Sequence, residues 1–360
     1  MKIGIITLTP LTTNYGGILQ AFALQQVLKR KGHEVVTIDF KWKFIKADNF
    51  FKTFLRLGKR WYMNNIETRI RTCKTRTFLR NITQECVYLD SIKECDCDIY
   101  VVGSDQVWRP VYWAKKDFAI IPFLGFTKGW NVRRVAYAAS FGTDNWTLSE
   151  EQTNECAALA KLFYSISVRE NSAVTLCKDY LGVDALHVLD PTMLLSKEEY
   201  VEIAKKSRKL DAGELMTYIL DYTPEKISFV NDIAQENGYN VNNTNSLTDD
   251  ITAPLYKRIQ PAVEQWLHSF EESKMVITDS FHGTVFSIIF NKEFLVIGNK
   301  KRGMGRFSSL LTCFGLEDRL IDDITSFDFA KLTPIDWNVV NKQMAKLQKE
   351  SNEFIDGFLT

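Results

Sequence analysis

The sequence predicts an α/β protein whose two halves, each built on a parallel sheet, face one another across a cleft. Three observations predict it. Short apolar runs alternate with helix-period segments along most of the chain. The alternation halts at Asp190-Pro191-Thr192, which reads as a hinge or boundary, and then resumes. And 360 residues are more than one core ordinarily serves, so two units of roughly 150–200 residues are expected.

The first half opens with a strand at 2–8, a helix at 18–31 and a strand at 34–40. Ala21, Leu24, Gln25 and Leu28 repeat at helical spacing and Gly32 stops the helix. A strand–helix–strand start implies a parallel sheet with a right-handed crossover. Further strands are expected at 98–103, 134–139, 164–168 and 186–189, and a second set at 215–220, 239–243, 276–278 and 294–297. The last segment has Asp336 as N-cap and Trp337, Val340, Met344, Leu347, Phe354 and Phe358 on one helical face, so it should pack back across the boundary. The expected division is 1–190, 191–335 and a closing helix at 336–360.

A net charge of +1, with 45% apolar and 25% charged residues, argues against a nucleic-acid partner. No signal peptide or membrane-length apolar run is visible, and seven scattered cysteines suit a reducing compartment, so a cytoplasmic protein is expected. Cys95 and Cys97 lack a second ligand pair, and no metal site is predicted. Residues 41–80 stand apart. They hold 12 Lys or Arg against Asp48 and Glu67, an excess of ten positive charges that leaves the remainder nine negative. Phe50, Phe54, Leu57 and Trp61 share a helical face ringed by Lys52, Arg56, Lys59 and Arg60. Such a helix suits peripheral contact with an anionic membrane face, or its apolar side simply covers the first half.

The chemistry-bearing segments fall at strand ends. Thr278-Asp279-Ser280-Phe281-His282-Gly283 joins an apolar strand to a helix, placing one of only four histidines at a sheet rim where helix amides attract anions. Ser104, Asp105 and Gln106 crown another strand, with Trp108 close behind; a helix cap is the plainer reading, but three polar residues and an indole exceed what a cap needs and favour a ligand rim. Arg169 closes a third strand, as an anion clamp or as a salt-bridge partner of Glu170 or another acid. Asn14-Tyr15-Gly16-Gly17 is a turn permitting close backbone approach, but not a dinucleotide fingerprint. Lys300-Lys301-Arg302-Gly303-Met304-Gly305-Arg306 is a basic loop suited to closing over an anion.

Taken in order, these segments resemble the polysaccharide pyruvyl transferase family. The matching signs are Asn-Tyr-Gly-Gly at 14–17, Val-Gly-Ser-Asp-Gln-Val-Trp at 102–108, Ala-Tyr-Ala-Ala-Ser-Phe-Gly at 136–142, Ser-Val-Arg-Glu at 167–170, Val-Leu-Asp-Pro-Thr at 188–192, Thr-Asp-Ser-Phe-His-Gly-Thr at 278–284 and Arg-Phe-Ser-Ser-Leu-Leu at 306–311. The resemblance implies two Rossmann-like domains in the manner of GT-B glycosyltransferases. It also implies transfer of pyruvate from phosphoenolpyruvate to two hydroxyls of a sugar, free or lipid-linked, with no further cofactor. His282 is then the expected general acid and Asp105 the base. Arg169, Ser280, Gly283, Arg302 and Arg306 fall on the donor side. Asn14, Tyr15, Gly16, Gly17, Ser104, Gln106 and Trp108 fall on the acceptor side. Many members carry an arginine two residues before the histidine; here that position is Ser280, and Arg302 or Arg306 is expected to supply the charge. A nucleotide-sugar glycosyltransferase and a non-catalytic carbohydrate-binding relative are the alternatives.

Overall fold

The structure, a computed structural model, describes all residues except 10, 12–13, 42–65, 114–117, 208–212, 248–249 and 300–302. Most of the basic aromatic segment, and Arg302, therefore lie outside the described residues.

Two all-parallel sheets form. The first has seven strands, β1 (Lys2–Ile6), β2 (Glu34–Lys41), β3 (Gln84–Tyr88), β4 (Ile99–Val102), β5 (Arg133–Ala139), β6 (Ser165–Val168) and β7 (Leu186–His187), in the spatial order β3-β2-β1-β4-β5-β6-β7. The second has β8 (Leu215–Tyr218), β9 (Val241–Asn243), β10 (Met275–Thr278), β11 (Glu293–Ile297) and β12 (Leu320–Ile321), ordered β12-β11-β10-β8-β9. Strands covered by helices on both faces read as continuous apolar runs, as in Ile99-Tyr100-Val101-Val102, every residue of which is buried. Two edge strands were not expected. β3 is largely exposed along Gln84-Glu85-Cys86-Val87-Tyr88, and β12 is two residues long, so neither carries such a run.

Two helix starts also differ from expectation. Helix α1 (Tyr15–Arg30) begins three residues early because Asn14 caps it, accepting from the Gly17 amide at 3.3 Å. Gly16 and Gly17 thus lie in the first helical turn rather than in a loop before it. The helix after β10 likewise begins at Phe281, with Ser280 as N-cap, so His282 and Gly283 are helical (Phe281–Ile289).

One apolar cluster runs from β1 and α1 into the helices and β10 of the second half. The joint is aromatic: the Tyr15 ring stacks on Trp266 with centroids 4.9 Å apart, and Trp266 meets Tyr218 edge-on at 5.3 Å. The Tyr15 hydroxyl donates to the Pro261 carbonyl at 2.9 Å. Each such ring pair adds about 0.5–1.5 kcal/mol beyond its area burial. The closing helix, Trp337–Leu359, is capped by Asp336 and lies against the first sheet. There Ser351 accepts from the Leu189 amide at 3.0 Å, and Phe354 meets Tyr137 at 6.1 Å. Among the described residues no helix is long and apolar enough to cross a membrane.

Candidate active site

Strand order reverses between β1 and β4 in one sheet and between β8 and β10 in the other. Open parallel sheets leave a crevice at the carboxyl ends of their strands at such points. Here a cavity of about 260 Å3 is lined by residues from both crevices, among them Asn14, Asp105 and Gln106 from one half and Ser280, His282 and Arg306 from the other. Strand-end placement thus brings together side chains nearly 300 residues apart in sequence.

His282 lies between the halves. The Nδ1 edge of the ring packs on Gly16: a Cβ added there would fall 1.9 Å from Nδ1, so only glycine leaves room for the imidazole. The other nitrogen, Nε2, is buried 3.6 Å from Asp190 Oδ2. Asp190 is itself enclosed. Its Oδ1 accepts from the Thr192 amide at 3.0 Å and hydroxyl at 2.7 Å, while Oδ2 accepts from Arg169 Nη1 at 2.8 Å and Ser104 Oγ at 3.2 Å. Burial pushes this carboxyl up, but His282 and Arg169 outweigh burial and hold it well below the usual carboxylate range. Asp190 is therefore an anion that orients the imidazole from below. The sequence marks Asp190-Pro191-Thr192 as a boundary and, within 188–192, as a sign of the family resemblance, but assigns Asp190 no site role; the available signal is a charged residue directly following an apolar strand.

Asp105 faces the cavity with φ +69°, a left-handed conformation that Asp tolerates better than most residues and that recurs at functional sites. Its Oδ1 is 3.5 Å from Arg169 Nη2. Arg306 is the permanent cation among the described lining residues, with its guanidinium carbon 5.8 Å from the Phe281 ring centroid. Burial, reinforced by Arg169, brings its pKa down to about 10, so it remains charged at neutral pH. Glu170 accepts from Ser140 Oγ, and burial raises its pKa. The start of the helix that carries Arg306 is held from the other half, since Asp144 Oδ2 accepts from the Gly305 amide at 3.1 Å, with Asp144 Oδ1 accepting from Ser172 Oγ at 2.8 Å.

Several expected site residues do not face the cavity. Arg169 cannot clamp a substrate: its side chain is 1% exposed, bonded to Asp190 and Asp105, and its guanidinium carbon lies 4.2 Å from the Phe281 ring centroid. The salt-bridge alternative describes it, with Asp190 and Asp105 as partners. Burial lowers its pKa, but Asp190, Glu170 and Asp105 more than offset this, leaving it raised. Tyr15 belongs to the interdomain aromatic joint. Trp108 is fully buried, stacked on Phe123 at 5.1 Å, with its indole N–H donating to the Pro122 carbonyl at 2.9 Å. Ser104 is buried and serves Asp190 and the Ala138 carbonyl. Gly17 is buried under Asn14, and Gly283 is packed so tightly that a Cβ would lie 2.2 Å from Thr278 Oγ1. Gly16 acts through His282 rather than by meeting a ligand. Asn14, Gln106 and Ser280 do line the cavity. Gln106 Oε1 accepts from Arg109 at 2.6 Å.

One residue beside the histidine was passed over. Asp279 is fully buried and accepts from the Leu220 and Asp221 amides at 2.6 and 3.1 Å, from Lys226 Nζ at 2.7 Å and from Asn299 at 3.3 Å. It lines the cavity and ties three strand ends of the second sheet together there.

Two Rossmann-like halves facing a cleft at paired switch points define a GT-B-like protein. UDP-GlcNAc 2-epimerase from Neisseria meningitidis, solved bound to UDP-GlcNAc, shares this fold at 9% identity and a TM-score of 0.51, over 100% of this chain and 99% of that one. Another UDP-N-acetylglucosamine 2-epimerase matches at 9% identity and a TM-score of 0.51, over 99% and 95% of the two chains. At such identity the likeness shows the fold alone. The chain belongs to the polysaccharide pyruvyl transferase family, whose model matches residues 14–301. No curated protein matches the sequence.

Proposed function

We propose that the protein transfers pyruvate from phosphoenolpyruvate to two hydroxyls of a sugar in a polysaccharide or its lipid-linked precursor. A cyclic ketal forms and phosphate is released. The observation that carries this reading is His282 at the junction of the two crevices, lining the cavity with Nε2 against buried anionic Asp190 and Nδ1 packed on Gly16. A histidine so oriented can exchange a proton at one fixed atom.

In the proposed reaction, one sugar hydroxyl adds to C2 of the enol while a proton passes to the C3 methylene, which becomes the methyl group. Phosphate then leaves C2 and the second hydroxyl adds there, each hydroxyl losing its proton. His282 is the acid toward C3 or toward the departing phosphate. Asp105 accepts a hydroxyl proton. Arg306 meets the carboxylate or phosphate, taking the part of the arginine that Ser280 replaces. Arg169 keeps Asp190 charged from beneath and pairs with Asp105. Asn14, Asn245 and Ser246 offer uncharged polar groups suited to a sugar.

The test is thermal unfolding with phosphoenolpyruvate alone, followed by phosphate release with a panel of glycans. A ligand at 100 times its Kd adds about 2.7 kcal/mol of stability, a shift easily read. The expected result is stabilisation by phosphoenolpyruvate that Arg306→Ala removes. An unchanged melting curve at millimolar phosphoenolpyruvate, alongside a response to nucleotide sugars, overturns the reading.

A further inference from the structure

Residues 66–80 lie beside Leu247 and residues 250–257 near the cavity, and we propose that they form a docking surface for an anionic lipid bilayer. The loop is fixed by its own backbone. The Leu247 amide donates to the Lys257 carbonyl at 3.0 Å and closes it, Lys257 donates to Pro254 at 2.9 Å, and the Asp250 carboxylate accepts from the Thr252 amide at 2.8 Å. Within that closed frame Ile251 is 83% and Tyr256 70% exposed, and Leu247 and Leu255 are also exposed. Single exposed apolar side chains are ordinary; four on one closed loop make a patch.

The charge beside the patch identifies the partner. Arg69, Lys74, Arg76 and Arg80 are exposed on the neighbouring segment, as is Lys257 on the loop. Among the described residues the acids there are engaged: Glu67 is paired with Arg258 at 2.6 Å, and Asp250 holds Thr252. That ion pair, and the Gln260 amide donating to the Arg71 carbonyl at 2.8 Å, join the segment to the residues that directly follow the loop. Cations flanking exposed aliphatic and tyrosyl side chains match the interfacial region of an anionic bilayer, where lipid phosphates meet the edge of the hydrocarbon.

The surface is also placed to matter. Asn245, Ser246 and Gln260, at the two ends of the loop, line the cavity. On the first half's side Tyr112 lines it too, and the adjacent Val111 is 73% exposed. A bilayer docked here holds a lipid-carried sugar over the pocket. That consequence rests on the pyruvyl-transfer reading; the docking itself does not.

The experiment is co-sedimentation of the full-length protein with vesicles of phosphatidylcholine alone or mixed with phosphatidylglycerol. Binding to the mixed vesicles that weakens as salt rises is expected. Lys74→Gln and Arg76→Gln should each lower the partition coefficient about fivefold, the equivalent of about 1 kcal/mol per cation. The exposed pair Ile251→Asp and Tyr256→Asp should lower it more than tenfold while leaving the melting temperature and its shift with phosphoenolpyruvate unchanged. A wild-type protein that stays in the supernatant with both vesicle types overturns the proposal, as does binding indifferent to all four substitutions. Sedimentation velocity showing instead that Ile251→Asp splits a dimer also overturns it, making the face a contact between copies.

Discussion

Each sheet ends over a fully buried aspartate paired with a cation, and the two behave differently. Asp279, in the wall of the second sheet's crevice, uses both oxygens within its own half, on the Leu220 and Asp221 amides, Lys226 and Asn299. It locks loops. Asp190, under the first crevice, is satisfied by Thr192, Ser104 and Arg169, yet its Oδ2 still faces His282 of the opposite half. It joins the halves at the cleft. A buried carboxylate is thus structural or functional according to what its last open direction faces, and neither burial nor the presence of a cation distinguishes the two.

The largest effect should come from the group on which Asp190 acts. His282→Ala removes the proposed acid, and turnover measured by phosphate release should fall about 10²–10⁴-fold. Full turnover in that variant would remove the role. Asp190→Asn should lower turnover as well, and should cost about 3–5 kcal/mol of stability because Arg169 is left partly uncompensated in the interior. The pH dependence has a definite sign. The folded-state carboxyl is held below its ordinary value, so its contribution is complete above about pH 4 and is lost as pH falls through the folded value. The stability gap between wild type and Asp190→Asn should stay constant from neutral pH down to about pH 5 and narrow only below about pH 4. A gap that widened on acidification would contradict the assigned charge. Asp279→Asn comes next, at about 3 kcal/mol for breaking the pair with Lys226, with turnover per folded molecule nearly preserved. Equal losses of turnover in the two aspartate variants would erase the contrast.

The fold was legible because parallel strands covered on both faces must be apolar throughout, and every such run was visible. The missed strands, Gln84–Tyr88 and Leu320–Ile321, lie at sheet edges, where one side is solvent and the pattern fades. The rim of the site was legible for a related reason: polar residues that end a buried strand, such as Asp105 and Ser280, must emerge at the carboxyl edge. What lay beneath the rim was not. Whether Arg169 points into a cavity or into Asp190 depends on side-chain direction across an interval of 21 residues, for which local pattern carries no signal. Tyr15 and Trp108 failed likewise, since an aromatic ring next to polar residues suits both a sugar platform and a buried joint.

The smallest expected effect tests whether the second half contributes to the site by position as well as by composition. Asp144, exposed on the first half, caps the helix Gly305–Phe314 of the second through the Gly305 amide, and the next residue is Arg306. A Cβ at position 305 would fall 1.8 Å from Asp144 Oδ1, so the contact requires glycine. A second bond, from the Asn171 amide to Ser309 Oγ at 2.8 Å, fixes the same helix one turn on. Losing a cap costs about 1 kcal/mol, so Asp144→Ala should raise the phosphoenolpyruvate concentration for half-maximal stabilisation about fivefold and leave turnover at saturation nearly unchanged. Asp144→Asn keeps an acceptor for the Gly305 amide and should recover most of the loss. If the asparagine variant is as impaired as the alanine variant, charge toward Arg306 rather than capping is what Asp144 supplies. If neither differs from wild type, the two halves hold Arg306 in place without this contact.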